Sequence, residues 1–138
     1  MAKKVRDMMT KNPCAIDAQK PVAYAAQMMR DEGVGLAPIV EGQKLIGTVT
    51  DRDIAIRVVA DGRDPQTTTV REIATTRLIT IDPEQDIDEA MRLMADHQVR
   101  RLPVVEEDGK LAGVVAQADI AEHASAKDTG KVVEEISR

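Results

Sequence analysis

The chain is written twice. Setting Val5 on Val70 aligns VRDMMTKNPCAID with VREIATTRLITID, and AAQMMRDEGVGLAPIV with AMRLMADHQVRRLPVV, without a gap at a register of 65 residues. One extra residue near Glu107 moves the register to 66, and KLIGTVTDRDI then falls on KLAGVVAQADI. An internal period constrains architecture more than any single motif, because each copy must build the same supersecondary unit. A copy of this size cannot bury its own apolar faces, so the two are expected to pack together.

Within each copy the periodicities predict one element order. Residues 13–16 and 78–81 are short apolar or β-branched runs ending at an aspartate and read as strands. Val22, Ala25, Ala26 and Met29 recur at helical spacing, as do Ile87, Ala90, Met91 and Met94. Asp86 and Glu89 have the spacing of a capping box, while Pro21 suits a first helical turn. Two strands follow, LAPIV and KLIGTVT in one copy and RLPVV and KLAGVVA in the other, with turns at Gly42 and Gly109. Residues 51–60 and 117–125 are expected to close each copy as helices. The fold class is therefore α/β, more narrowly α+β: two tandem β-α-β-β-α repeats. The first repeat with its N-terminal segment covers 1–62, a linker in the turn-rich ADGRDPQTT stretch covers 63–69, the second repeat covers 70–124, and 125–138 is a polar tail. Thr69 and Glu72, again at capping-box spacing, predict a short helix from Val70.

Composition removes several function classes. At 138 residues the chain has the length of one ordinary domain. A net charge of -5, with Tyr24 as the only aromatic, offers neither a basic face nor a stacking platform for nucleic acid. The lone Cys14 cannot form an internal disulfide, and no apolar run reaches the length of a membrane span. The N-terminal MAKKVRDMM lacks the apolar core of a signal peptide, so a cytoplasmic location is expected. His97, His123 and Cys14 are too scattered for a zinc site, and Asp51 and Asp53, two apart on a helix, face different ways. With no P-loop, G-x-S-x-G or G-x-G-x-x-G, neither an enzyme nor a catalytic cofactor is expected.

Two copies of strand, helix, x-x-P-V-V-type strand, G-h-h-T-x-x-D-h turn (h for apolar) and helix resemble a tandem CBS-domain pair, or Bateman module. LAPIV with GTVTDRDI, and RLPVV with GVVAQADI, carry the likeness over about residues 5–124. The runs TDRDIAIRVVADGRDPQT and HQVRRLPVV also look like those of free-standing CBS pairs. The resemblance implies pseudo-twofold packing of the repeats with two clefts between them, which in many members bind AMP, ADP, ATP or S-adenosylmethionine. It also implies a homodimer that signals a cellular state, such as energy or stress, to a regulated protein partner.

Carried over residue by residue, the family's phosphate-binding Thr and ribose-binding Asp are Thr50 and Asp53. The chemistry suits them, since a carboxylate can accept from both hydroxyls of a diol and a hydroxyl near a helix N-terminus can hold phosphate. Thr50 and Asp53 equally have capping-box spacing, and both readings stand on spacing alone. The second copy keeps Asp119 but has Ala116, which cannot cap through its side chain, so reciprocal capping does not by itself account for that aspartate. This favours a ligand role for Asp53 and unequal clefts. His97, Arg100 and Arg101 suit either phosphate or a helix C-terminus; the first copy has Gly35 and Leu36 where the second has the two arginines, so the basic pair is expected to serve a phosphate in the cleft of Thr50 and Asp53, which Arg52 either joins or leaves for plain solvation. With no aromatic to stack on, adenine would rest on Cys14, Ala15, Ile16, Ala37 and Pro38, or on Ile79, Thr80, Ile81, Leu102 and Pro103, positions equally suited to the core. The competing function is a ligand-free dimeric scaffold that docks a protein partner through its helical faces.

Overall fold

The structure, a computed structural model, describes residues 3–11 and 13–127. They form α1 (Val5–Met8), β1 (Ile16–Asp17), α2 (Val22–Glu32), β2 (Leu36–Glu41), β3 (Lys44–Thr50), α3 (Asp51–Ile54, continued by a π-helical turn Ala55–Val59), α4 (Val70–Ile73), α5 (Ile87–His97), β4 (Arg101–Val105), β5 (Leu111–Ala116) and α6 (Gln117–Lys127). The order is that expected for α+β repeats, except that the first strand of each copy is reduced. Only Ile16 and Asp17 form a strand in the first, because Ala15 turns its N–H back onto the Pro13 carbonyl at 2.6 Å. In the second copy a single parallel bridge, Ile81 to Val104, stands in its place.

The chain divides into two compact units. A first-repeat unit gathers 13–78 and 105–111, and a second-repeat unit gathers 3–11, 79–104 and 112–127. The boundaries differ from those of the sequence repeats, because each lead-in helix joins the other copy: α1 belongs to the second-repeat unit and α4 to the first-repeat unit.

In the first-repeat unit β2 lies between β1, parallel to it, and β3, antiparallel to it, with a bulge between Ile39 and Val40. Val22, Ala25 and Met29 bury one face of α2 with Ile16, Ala37, Ile39, Val49 and Val58, whereas Ala26 faces solvent. Val70 and Ile73 of α4 are fully buried in this same core. Pro21 is the N-cap of α2 rather than a first-turn residue. The free N–H groups of that turn find linker carbonyls instead, Val22 to Thr68 at 2.8 Å and Ala23 to Pro65 at 2.9 Å. Thr75 pairs its backbone with Thr48 of β3 in both directions, at 2.8 and 3.0 Å.

The second-repeat unit repeats this plan with α1 in place of α4. Val5 is buried among Ile81, Ala90, Met94, Leu102, Val104, Val115 and Ile120. Asp86 caps α5 by accepting the Glu89 N–H at 3.0 Å, and the Ile87 N–H goes to the Lys3 carbonyl at 3.0 Å. Thr10 exchanges two backbone hydrogen bonds with Val114 of β5, at 2.8 and 3.1 Å. Helices α2 and α5 end alike, with the next valine bonded back across a left-handed residue, Val34 to Met29 and Val99 to Met94, each at 3.0 Å. The left-handed position is Gly33 in one copy and Gln98, at φ 55°, in the other.

Candidate functional site

Strand direction fixes where the candidate residues fall. With β1 and β2 parallel and β3 antiparallel, the starts of β1 and β2 and the end of β3 share one end of the first sheet. Cys14 and Ala15 lead into β1 there, Leu36 pairs with Thr50, and the Asp51 N–H reaches the Gly35 carbonyl at 3.0 Å. Backbone geometry thus brings Cys14, Ala15, Thr50, Arg52 and Asp53 to one place. Ile16 and Ala37 lie in the same strands, but their side chains are consumed by the core, and Pro38 is fully buried.

Thr50 and Asp53 form a complete capping box. Thr50 Oγ1 accepts the Asp53 N–H at 3.0 Å and Asp53 Oδ2 accepts the Thr50 N–H at 2.9 Å. The box occupies one carboxylate oxygen and the acceptor side of the hydroxyl. Asp53 Oδ1 and the Thr50 O–H donor stay free of it, side by side in a turn where the Asp53 side chain is 15% exposed. The guanidinium of Arg57 stands beside Oδ1, its Nε at 4.0 Å. Cys14 is half-buried, and its thiol is pushed up chiefly by that burial and secondarily by the charge of Glu32.

The second copy corrects one step of the sequence argument. Asp119 Oδ2 accepts the Ala116 N–H at 3.3 Å, so the aspartate half of the box survives without a hydroxyl at the cap. A one-sided backbone cap is therefore one role of Asp119. Arg100 lies at this turn of its own repeat, its carbonyl accepting the Gln117 N–H at 2.8 Å, and Arg101 opens β4 beside it. Both arginines and Asp119 belong to the second-repeat unit, whereas Thr50 and Asp53 belong to the first-repeat unit. Ile79 is half-buried against the core, Ile81, Leu102 and Pro103 are buried in it, and Thr80 is exposed. His97 is exposed in the last turn of α5. His123 has no described side chain. Among the described residues, no three His, Cys, Asp or Glu side chains gather closely enough to hold a metal ion.

Two sets of residues escaped the sequence reading. Arg57 has no place in the motif, and its spacing of four from Asp53 is the signal in the sequence that points to it. Gly47 and Gly113 were read only as part of a motif. A Cβ on Gly47 would stand 3.0 Å from the Thr75 carbonyl oxygen, and one on Gly113 would overlap the Thr10 carbonyl oxygen.

Paired α+β repeats, each ending in a strand-to-helix turn with a capping aspartate, define a CBS pair. The chain matches the CBS domain over residues 5–60 and 70–126 and belongs to that family. It is 42% identical over 117 residues to the CBS domain-containing protein YhcV of Bacillus subtilis, covering 85% of this chain and 82% of YhcV. It is 40% identical over 119 residues to hypoxic response protein 1 of Mycobacterium tuberculosis, covering 86% and 82%. A crystal structure of Hypoxic Response Protein I with two coordinated zinc ions superposes with a TM-score of 0.80 at 38% identity, over 88% of this chain and 98% of that one. The CBS pair of protein MJ0100, in complex with 5-methylthioadenosine and S-adenosyl-L-methionine, superposes with a TM-score of 0.77 at 26% identity, over 92% and 99%. No helix among the described residues is long and apolar enough to cross a membrane.

Proposed function

We propose that the chain is a non-catalytic regulatory module that binds an adenine nucleotide at the Thr50–Asp53 turn, with AMP, ADP or ATP as the ligand class. The supporting observation is the division of labour within the capping box, which leaves an unused carboxylate oxygen and an unused hydroxyl donor together. Asp53 Oδ1 would accept from the ribose hydroxyls and Thr50 Oγ1–H would donate to phosphate, with Arg52 supplying charge at the helix start. The adenosine ligands of the MJ0100 pair agree with this class. Adenine would lie against Cys14, Ala15 and the backbone of Ile16, Ala37 and Pro38. In the second-repeat unit Asp119 repeats the carboxylate, with Ile79, Thr80, Ile81, Leu102 and Pro103 around its sheet end, and Arg100, Arg101 and His97 as the cations for a phosphate. Lacking the hydroxyl at 116, that turn would bind more weakly.

Binding would signal cellular energy or stress status from the cytoplasm by shifting the conformation or geometry of a homodimer. A shift of this kind requires that the ligand prefer one of two states. A second reading is a ligand-free homodimeric scaffold for a protein partner, favoured by two apolar side chains on the π-helical turn, Ile56 and Val59, which are 51% and 72% exposed.

A thermal-shift series with AMP, ADP, ATP and S-adenosylmethionine separates the two. A ligand at 100 times its Kd adds about 2.7 kcal/mol to the native state. Asp53→Asn keeps an oxygen for the Thr50 N–H, so its ligand-free midpoint should stay near that of the natural chain while the nucleotide-induced shift is lost. An unchanged shift in Asp53→Asn would remove the site as assigned. No shift with any of the four compounds would leave the scaffold.

A further inference from the structure

We infer that Arg57 is a positioning residue that couples occupancy of Asp53 to the docking of the 73–75 segment on β3, an inference that rests on the nucleotide reading above. Its guanidinium faces two acceptors from different parts of the first-repeat unit. Nε stands 4.0 Å from Asp53 Oδ1, and Nη1 donates to the Ile73 carbonyl at 3.0 Å. Ile73 is the last residue of α4 and is fully buried. Immediately beyond it Ala74 turns extended, and Thr75 makes its two backbone hydrogen bonds with Thr48. One cation therefore stands between the proposed ribose carboxylate and the carbonyl end of the helix that carries the chain onto the sheet edge.

The local backbone favours this bridge. Arg57 sits inside the π-helical turn Ala55–Val59, closed by the Ala60 N–H on the Ala55 carbonyl at 2.9 Å. Single π turns change the direction of the side chains they carry and recur at functional sites. Here Val58 points fully into the core while Arg57 spans from Asp53 to Ile73. At 4.0 Å the guanidinium is too far from Oδ1 for a direct hydrogen bond, so that oxygen stays open to a ligand hydroxyl while still feeling the positive charge. A ribose hydroxyl donating to Oδ1 draws down the electron density that attracts Arg57. The guanidinium already donates to the Ile73 carbonyl, and with the pull of Oδ1 reduced that bond strengthens and tightens the 73–75 segment against β3. A planar fork can serve two acceptors in fixed geometry, which an ammonium cannot. The second repeat carries His123 at the equivalent position, so the coupling belongs to the first repeat.

Isothermal titration with AMP, ADP and ATP, and amide hydrogen exchange at Thr48 and Thr75, would be compared in the natural chain, Arg57→Met and Arg57→Lys. In the natural chain AMP should slow exchange at both amides. Arg57 is half-exposed, so its loss should weaken AMP by only about two- to fivefold. The AMP-dependent protection should vanish in Arg57→Met, and also in Arg57→Lys, which keeps the charge and guards against misfolding of the methionine variant. Undiminished AMP-dependent protection in either variant that binds AMP overturns the coupling and leaves the nucleotide site standing. Absence of heat with all three nucleotides in the natural chain overturns the nucleotide reading, and the coupling with it.

Discussion

Glu72 draws three donors onto one carboxylate: the Thr69 N–H at 2.7 Å, the Thr69 hydroxyl at 3.0 Å and the Arg63 guanidinium at 2.7 Å. These, the Thr69 amide foremost, hold its pKa below the ordinary 4.5. A carboxyl depressed in the folded state contributes stability that is present above its unfolded pKa and lost as pH falls through the folded one. Melting midpoints measured from about pH 6 down to about pH 3 should therefore decline less steeply in Glu72→Gln than in the natural chain. Parallel curves would show that the pairing has no part in acid sensitivity. The sequence spacing exposed this pair, as it exposed Thr50 and Asp53, because a capping box is a local event. It misled at Asp119 because spacing displays both partners of a box without saying that each half works alone. A carboxylate in the first turn needs only the backbone N–H of the cap residue, whatever side chain that residue bears. Asp86 shows the converse half: it caps α5 while Glu89 turns away to pair with Arg92, which lowers the Glu89 pKa.

At the scale of elements, helices and long strands were legible because their periodicity reports the core face directly. The reduced first strands were not, since a strand exists only if its N–H groups reach a neighbour, and Ala15 spends its own on Pro13. The glycines of the two G-h-h turns were opaque for a related reason. Their cause is a backbone segment arriving from elsewhere in the chain, Thr75 over Gly47 and Thr10 over Gly113. A methyl group on Gly113 must displace the Thr10 backbone, whereas one on Gly47 asks Ala74 and Thr75 to give only slightly, and overpacking of the first kind costs about 1–3 kcal/mol. Gly113→Ala meets the closer obstruction, so it should lower the chemical-denaturation free energy more than Gly47→Ala. The reverse order, or two neutral substitutions, would mean that the lead-in segments do not hold these edges.

The whole chain trades its lead-in helices: α1 completes the core built by the second repeat, and α4 the core built by the first. Repeat boundaries read from alignment cannot reveal this, because alignment records likeness and not which copy a segment serves. Cleavage in the linker, giving 1–62 and 63–138, would leave each piece without its own edge cover and holding the other's. Circular-dichroism melts should show no cooperative transition for either piece alone and a recovered one when they are mixed. A cooperative melt of 1–62 by itself would contradict the exchange. Such reciprocity makes the two copies mutually dependent: removing one strips an edge cover from the other, so the second turn stays part of the fold although Ala116 stands where the first copy has Thr50.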